Sequence, residues 1–157
     1  MIDKKVKKAL DKSGVDYEIR EFPNDFKSSE DAAVLIGIKM DHIAKTLVYQ
    51  LPIGICVLIL AGNARIDSEK YKKKFKVPLH RVDEEDLMDF TGFVPGAVSP
   101  IGIAYKRAKV YMDESLRPCM DEFVYPSGGT LNSAIGIKVA DLFKVCGCKE
   151  WIDISEV

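Results

Sequence analysis

Two apolar runs dominate the middle of the chain. Residues 43–51 are interrupted by Lys45, Thr46 and Gln50, whereas residues 55–61 carry no charge at all. Pro52-Ile53-Gly54 separates them, so the pattern predicts two adjacent buried strands joined by a short turn, at the centre of a sheet. Upstream, the spacing of Val6, Ala9 and Leu10 is helical and closes at Gly14, and residues 17–22 alternate as a strand that Pro23 stops. Ser28 and Ser29 are N-cap residues, with Glu30 and Asp31 in the first turn of a helix that ends at Gly37. Downstream, Asp67 or Ser68 caps a lysine-rich helix to Phe75, and Asp83-Glu84-Glu85-Asp86 opens a short helix through Phe90. Further strands are predicted at 102–105, 109–112, 122–125 and 134–139. A helix at 140–145 and a short strand at 151–154 close the pattern.

Strands that arrive in runs, with helices clustered at intervals, favour an α+β fold over a doubly wound α/β fold. The strand count predicts a strongly curved, partly barrel-like mixed sheet of six or seven strands flanked by helices. With 157 residues and 47% apolar content, the whole span 1–157 fits one domain with a full core.

Charge and cysteine content narrow the chemistry. A net charge of −1 gives no global field for nucleic acid, so such a partner must be held locally. Two basic clusters qualify, at residues 70–76 and at Lys106-Arg107-Ala108-Lys109; each reads equally as a solvated face. No apolar stretch reaches the roughly 18 residues of a membrane span, and Met1-Ile2-Asp3-Lys4-Lys5 does not open a signal peptide. A cytoplasmic protein without a membrane partner is expected. Of Cys56, Cys119, Cys146 and Cys148, only the last two are close in sequence, one residue apart, and neither His42 nor His80 is near them. Reduced structural thiols are expected, with no metal and no cofactor. Nothing in the sequence fixes an oligomeric state.

Two segments together suggest a site. Ala44-Lys45-Thr46-Leu47 sets one lysine in an apolar run, and Gly92, Pro95, Gly96, Pro100 and Gly102 fall close together in a stiff loop. The lysine supplies a fixed positive charge, and the loop offers backbone N–H groups that a substrate can approach at Gly96. Each also has a plainer reading: Lys45 as a strand-end lysine whose stem lies on apolar neighbours, the loop as an ordinary turn. A Schiff-base lysine enzyme would need acid/base partners for which no motif is present.

These residues resemble a known family, the YbaK/prolyl-tRNA synthetase-associated aminoacyl-tRNA editing domains. The resemblance covers nearly the whole chain: Ser29-Glu30-Asp31-Ala32-Ala33 with Gly37, Lys45-Thr46-Leu47, the GxxxP loop Gly96-Ala97-Val98-Ser99-Pro100, Ser127-Gly128-Gly129, and Ala140-Asp141-Leu142. It implies a hydrolase that removes a wrong amino acid from the 3′-terminal adenosine of a tRNA, with Lys45 matching the family's essential lysine. Substrate contacts are implied for Thr46, for the Gly96, Ala97, Val98, Ser99 and Pro100 loop, and for Ser127, Gly128 and Gly129, with Phe22 and Asn132 shaping selectivity. The implied partners are the aminoacylated tRNA end and a prolyl-tRNA synthetase. Cysteine-specific members often carry an acidic residue after the Ser-Gly-Gly turn, where this chain reads Asn132-Ser133-Ala134, a departure that leaves alanine, serine or threonine open as substrates. A non-catalytic tRNA- or nucleotide-binding module of the same fold is the alternative, and the intact lysine and loop argue against it.

Overall fold

The apolar run without charges forms a strand, Ile55–Ala61, in which all seven residues are buried. In the computed structural model, which describes residues 1–157, it is the third strand, β3. On one side β2 (Ala44–Gln50) pairs with it antiparallel, from Ala44 opposite Ala61 to Gln50 opposite Ile55. On the other side lies β5 (Ala108–Asp113), parallel to β3, followed by the short parallel β8 (Trp151–Ile152), which gives the order β2-β3-β5-β8. A parallel neighbour requires a long crossover. The intervening chain supplies it with β4 (Arg65–Ile66), α3 (Ser68–Phe75) and α4 (Glu84–Thr91).

A second, antiparallel sheet contains β1 (Tyr17–Glu21), β7 (Ser133–Lys138) and β6 (Phe123–Val124), in the order β1-β7-β6. One backbone bridge joins it to the first sheet. The Tyr125 N–H donates to the His42 carbonyl at 2.8 Å, and the Ala44 N–H donates to the Tyr125 carbonyl at 3.2 Å. β4 and β9 (Ser155–Glu156) form a third, two-stranded sheet. The fold is thus α+β with mixed pairing, as predicted, but its nine strands are divided among three sheets, and no closed barrel forms.

The helices start where local chemistry dictates. Asp3 accepts from the Lys5 N–H at the head of α1 (Lys4–Ser13), Ser28 from Asp31 ahead of α2 (Ser29–Ile36), and Asp67 from Glu69 and Lys70 ahead of α3. Val6 and Leu10, one turn apart, bury the inner face of α1. The last helix, α5 (Val139–Val145), follows β7 directly. None of these helices is long and apolar enough to cross a membrane.

The predicted strand at 102–105 does not form; those residues are turn and irregular backbone. Their alternation serves packing instead, because Tyr105 meets Phe90 of α4 edge-on with ring centroids 5.2 Å apart. All four cysteines are free, and Cys56 is buried in β3 as expected.

A buried carboxylate anchors the C-terminal segment. Asp113 ends β5 fully buried and accepts from the Ser115 N–H and the Ile154 N–H, each at 3.0 Å, and from the Ser155 hydroxyl. Replacing it by alanine strands two buried backbone donors, each costing about 1–3 kcal/mol. Asp113→Ala is therefore expected to lower the urea midpoint by at least about 2 kcal/mol equivalent and to expose residues 153–157 to proteolysis. An unchanged midpoint would show that water replaces the carboxylate.

Candidate active site

β2 is an edge strand whose outer edge is paired only at its ends. The Ala44 N–H reaches Tyr125, and the Gln50 N–H donates to the His80 carbonyl at 2.7 Å. Because outward and inward groups alternate along an antiparallel strand, Thr46 and Val48 also point their N–H and C=O away from β3; Thr46 has no backbone partner there, while the Val48 carbonyl faces Val82 across the Tyr49–Arg81 bridge. A cavity of about 620 Å³ lies against this open stretch. Its volume falls within the roughly 300–1,000 Å³ typical of small-molecule sites.

Four further segments enclose it. Phe26, Ala32 and Ile36 form an apolar wall at α2. Arg81, Val82, Asp83, Glu84 and Leu87 come from the approach to α4 and its first turn. Pro95, Gly96 and Val98 come from the Gly/Pro loop, and Tyr125, Ser127 and Thr130 from the connection between β6 and β7, with Ser133 and Ala134 from the start of β7.

Lys45 and Thr46 carry the polar chemistry of β2. The half-buried Lys45 ammonium donates to the backbone carbonyls of Gly62, at 3.4 Å, and Ala64, and forms no salt bridge with a carboxylate. Burial lowers its pKa from the ordinary lysine value; the more distant Glu30 opposes that shift and Arg65 adds to it. The Thr46 hydroxyl oxygen is buried with no hydrogen-bond partner. An unpartnered polar atom on a cavity wall is a donor and acceptor held ready for a ligand.

The loop contributes backbone donors. At Gly96, φ is +85°, and a Cβ there would sit 3.2 Å from the Leu131 side chain. The Ala97 N–H is taken by the Val94 carbonyl at 3.0 Å, and the Ile101 N–H by the Ser99 hydroxyl at 3.2 Å. The N–H groups of Gly96 and Val98, both cavity-lining residues, have no acceptor within the chain.

Of the residues singled out from the sequence, Lys45, Thr46, Gly96, Val98 and Ser127 therefore meet in one cavity. The others stand behind its lining, for identifiable reasons. Ala97, Ser99 and Pro100 are buried and hold the loop's shape. The Asn132 amide donates to the Phe22 carbonyl at 2.8 Å, and the Phe22 N–H donates to the Asn132 carbonyl at 3.0 Å, so the pair fastens the end of β1 to the approach to β7. Gly128 and Gly129 pack against the start of α1: a Cβ on Gly129 would lie 2.6 Å from Asp3 and 2.7 Å from Phe93. Ser127 links both groups, donating to the Ala97 carbonyl at 3.2 Å and accepting from the Gly129 N–H at 3.0 Å.

Arg81, Tyr125, Thr130 and the α2 wall were not legible in the sequence. Tyr125 and Arg81 reach the cavity through the Ile43–Tyr125 and Tyr49–Arg81 bridges, which no local pattern announces.

In this α+β domain an open strand edge, a lysine free of any carboxylate partner and a loop with unspent backbone N–H groups thus border one cavity. The sequence profile of the aminoacyl-tRNA editing domain matches residues 23–145, and the chain belongs to that family. The uncharacterized protein YwhH of Bacillus subtilis is 31% identical over 140 residues, 88% of this chain and 87% of its own. A proline–tRNA ligase of Thermosipho melanesiensis is 24% identical over 149 residues, 94% of this chain but only 25% of the ligase. Among solved structures, one described as a candidate trans-editing enzyme for prolyl-tRNA synthetase superposes with a TM-score of 0.86 at 26% identity, covering 98% of this chain and 96% of its own.

Two consequences for stability follow from the polar groups of β2. Burial places the folded-state pKa of Lys45 below that of the unfolded chain. Below the folded value both states hold the proton and the burial cost is present in full; as pH rises from there toward 10.5, only the unfolded chain stays protonated, and the native state gains. Lys45→Met should thus raise stability at pH 7, with the gain narrowing as pH approaches 10.5, measured by urea unfolding across pH. Thr46→Val keeps the side-chain shape and removes the orphaned hydroxyl, so it should leave stability unchanged or raise it by about 1 kcal/mol. A clear loss would mean that the hydroxyl has an internal partner.

Proposed function

We propose that this domain is a trans-acting hydrolase that deacylates mischarged tRNA, with a small amino acid (alanine, serine, threonine or cysteine) on tRNA(Pro) as substrate. The observation that supports this reading is that Lys45, whose ammonium pairs with no carboxylate, and Gly96 and Val98, whose N–H groups have no acceptor within the chain, line one cavity. Membership of the editing family and similarity to part of a proline–tRNA ligase support the substrate class.

An aminoacyl ester is already activated, so the reaction needs placement and charge stabilisation more than a strong nucleophile. Lys45 draws the terminal phosphate or ribose toward β2, where the Thr46 hydroxyl and the open strand edge supply further hydrogen bonds. Attack by a water, or by the neighbouring ribose hydroxyl, turns the ester carbonyl into a tetrahedral oxyanion. Gly96 and Val98 donate to that oxyanion, and their N–H groups need no reorganisation to do so. Collapse of the intermediate expels the ribose oxygen and frees the amino acid.

The cavity's apolar wall of Phe26, Ala32 and Ile36 limits the side chain that fits. Size alone separates substrates by only about 1–3 kcal/mol per methylene. Thr130, Ser133 and Ser127 offer the polar discrimination that alanine, serine and cysteine require. The Asn132 amide is spent on Phe22, so the position at which cysteine-specific members of the family often carry an acidic residue adds no polar group to the cavity, whose carboxylates, Asp83 and Glu84, come from the α4 side.

In single-turnover assays with tRNA(Pro) carrying cysteine, alanine, serine, threonine or proline, at least one non-cognate ester should be cleaved. Lys45→Ala should abolish that cleavage, and Thr46→Val should slow it by about ten-fold, the worth of one hydrogen bond at about 1.4 kcal/mol. Binding without cleavage of any ester would support the non-catalytic tRNA-binding module instead.

Affinity for the tRNA body should come from local charge. Within the basic cluster, Lys70 pairs with Asp153 and Lys74 with Glu150, whereas Lys72, Lys73 and Lys76 are exposed without acidic partners. Replacing these three by glutamine should weaken tRNA binding and flatten its salt dependence by about 0.7–0.9 in log–log slope per lost phosphate contact. An unchanged slope would return them to the role of a solvated helix face.

A further inference from the structure

Outside the cavity, a second group of reactive side chains meets where the two larger sheets are bridged. His42 ends the 3₁₀ turn Met40–His42 that feeds β2, Cys119 closes the 3₁₀ segment Glu114–Cys119, and Glu122 stands just before β6. The His42 Nε2 lies 3.8 Å from the Cys119 Sγ and 3.3 Å from a Glu122 carboxylate oxygen, while its Nδ1 is 2.8 Å from an Asp41 carboxylate oxygen. Donor atoms of Asp41, His42 and Cys119 all fall within 4.8 Å of one another.

Cys119 packs in the core, yet its Sγ faces the edge of the His42 ring, and Glu122 brings a carboxylate to the same ring nitrogen. An imidazole, a thiol and a carboxylate meeting at Nε2, with a second carboxylate on Nδ1, form a donor set suited to a cation.

We propose that the His42 Nε2, the Cys119 Sγ and the Glu122 carboxylate bind a divalent transition-metal ion, with Asp41 holding the ring from Nδ1. The donor types select zinc: thiolate and imidazole are its common ligands, and a carboxylate on the far ring nitrogen is its usual outer support. The spacing agrees. Zinc bonds of about 2.3 Å to sulfur and 2.0–2.1 Å to nitrogen and oxygen give tetrahedral edges of about 3.5 Å for N···S and 3.3 Å for N···O. The two edges that meet at Nε2, 3.8 and 3.3 Å, lie within tenths of an ångström of these values. As the Sγ–metal bond forms, the thiol proton leaves to solvent. The thiol is buried and the Glu122 side chain exposed, so the fourth position faces water.

Such an ion would brace the junction that builds the editing cavity. His42 lies three residues before Lys45, and Glu122 three before Tyr125, whose backbone bridges the sheets. The ligands are invisible to spacing rules because 77 positions separate His42 from Cys119.

The test uses the full chain, freed of metal with a chelator and titrated with Zn²⁺ against a chromophoric competitor. A single ion per chain should bind and raise Tm. Glu122→Gln, an exposed change that does not threaten folding, and Asp41→Asn should each weaken binding by about 10- to 100-fold. Co²⁺-loaded protein should show thiolate-to-cobalt charge-transfer absorption that Cys119→Ala abolishes, whereas the Cys146→Ser/Cys148→Ser double variant should retain both binding and absorption. Absence of binding, binding indifferent to Glu122→Gln and Asp41→Asn, or binding lost in the Cys146/Cys148 variant would each overturn the proposal.

Discussion

The complete burial of β3 is the constraint from which the rest of the structure follows. A strand with no exposed residue must be paired along both edges and covered on both faces, since any open backbone group there would be orphaned away from water. β2 satisfies one edge and β5 the other, which makes β2 the border of its sheet. Its outer edge closes at Tyr125 and at His80, and the gap between them is where the cavity lies. The site is therefore a by-product of how the central strand is covered, and the residues that line it are those that happen to close the gap.

Placing a lysine on that border has a cost that the fold absorbs only in part. Two backbone carbonyls replace some of the water lost by the Lys45 ammonium, yet no carboxylate neutralises it, and burial depresses its pKa. A purely structural lysine in this setting would lay its stem on apolar neighbours and keep its head in water. An ammonium held half-buried against carbonyl dipoles, followed on the other face of the strand by an orphaned threonine hydroxyl, is a local conflict of the kind proteins keep at functional sites.

What could be read from the sequence was what is encoded locally. Ser28 and Asp67 mark helix starts because a cap is a matter of three or four consecutive residues. The β2–β3 hairpin was legible from two apolar runs and the short turn between them. The strand expected at 102–105 failed because alternation states only that one side of a segment is covered, and here the half-buried Tyr105 packs against Phe90 instead of in a sheet. At the site, Lys45 and Gly96 stood out because each is unusual in its own neighbourhood. Asn132 and Gly129 looked equally unusual, but the polarity of one is consumed by Phe22 and the emptiness of the other by Asp3 and Phe93, partners more than a hundred and more than thirty positions away. Local oddity marks a residue under constraint; only the tertiary partner says whether the constraint is substrate or packing.

The loop illustrates how the same few residues serve both ends. In Gly96-Ala97-Val98-Ser99-Pro100, alternate groups face opposite duties: the Ala97 N–H closes a turn on Val94, the Ala97 carbonyl receives Ser127, and Ser99 caps the Ile101 N–H. Those internal bonds fix the backbone so that the flanking Gly96 and Val98 N–H groups are left unspent at the cavity wall. A pair of donors held by its neighbours' hydrogen bonds needs no reorganisation when charge develops before it, which is the condition under which backbone dipoles stabilise an oxyanion most strongly. The buried middle of the loop is therefore as necessary to that geometry as its exposed rim, even though it touches no substrate. Under the proposed deacylation, packing changes at Ala97 or Ser99 would act through the orientation of the Gly96 and Val98 donors, lowering the rate of the chemical step more than the affinity for the ester.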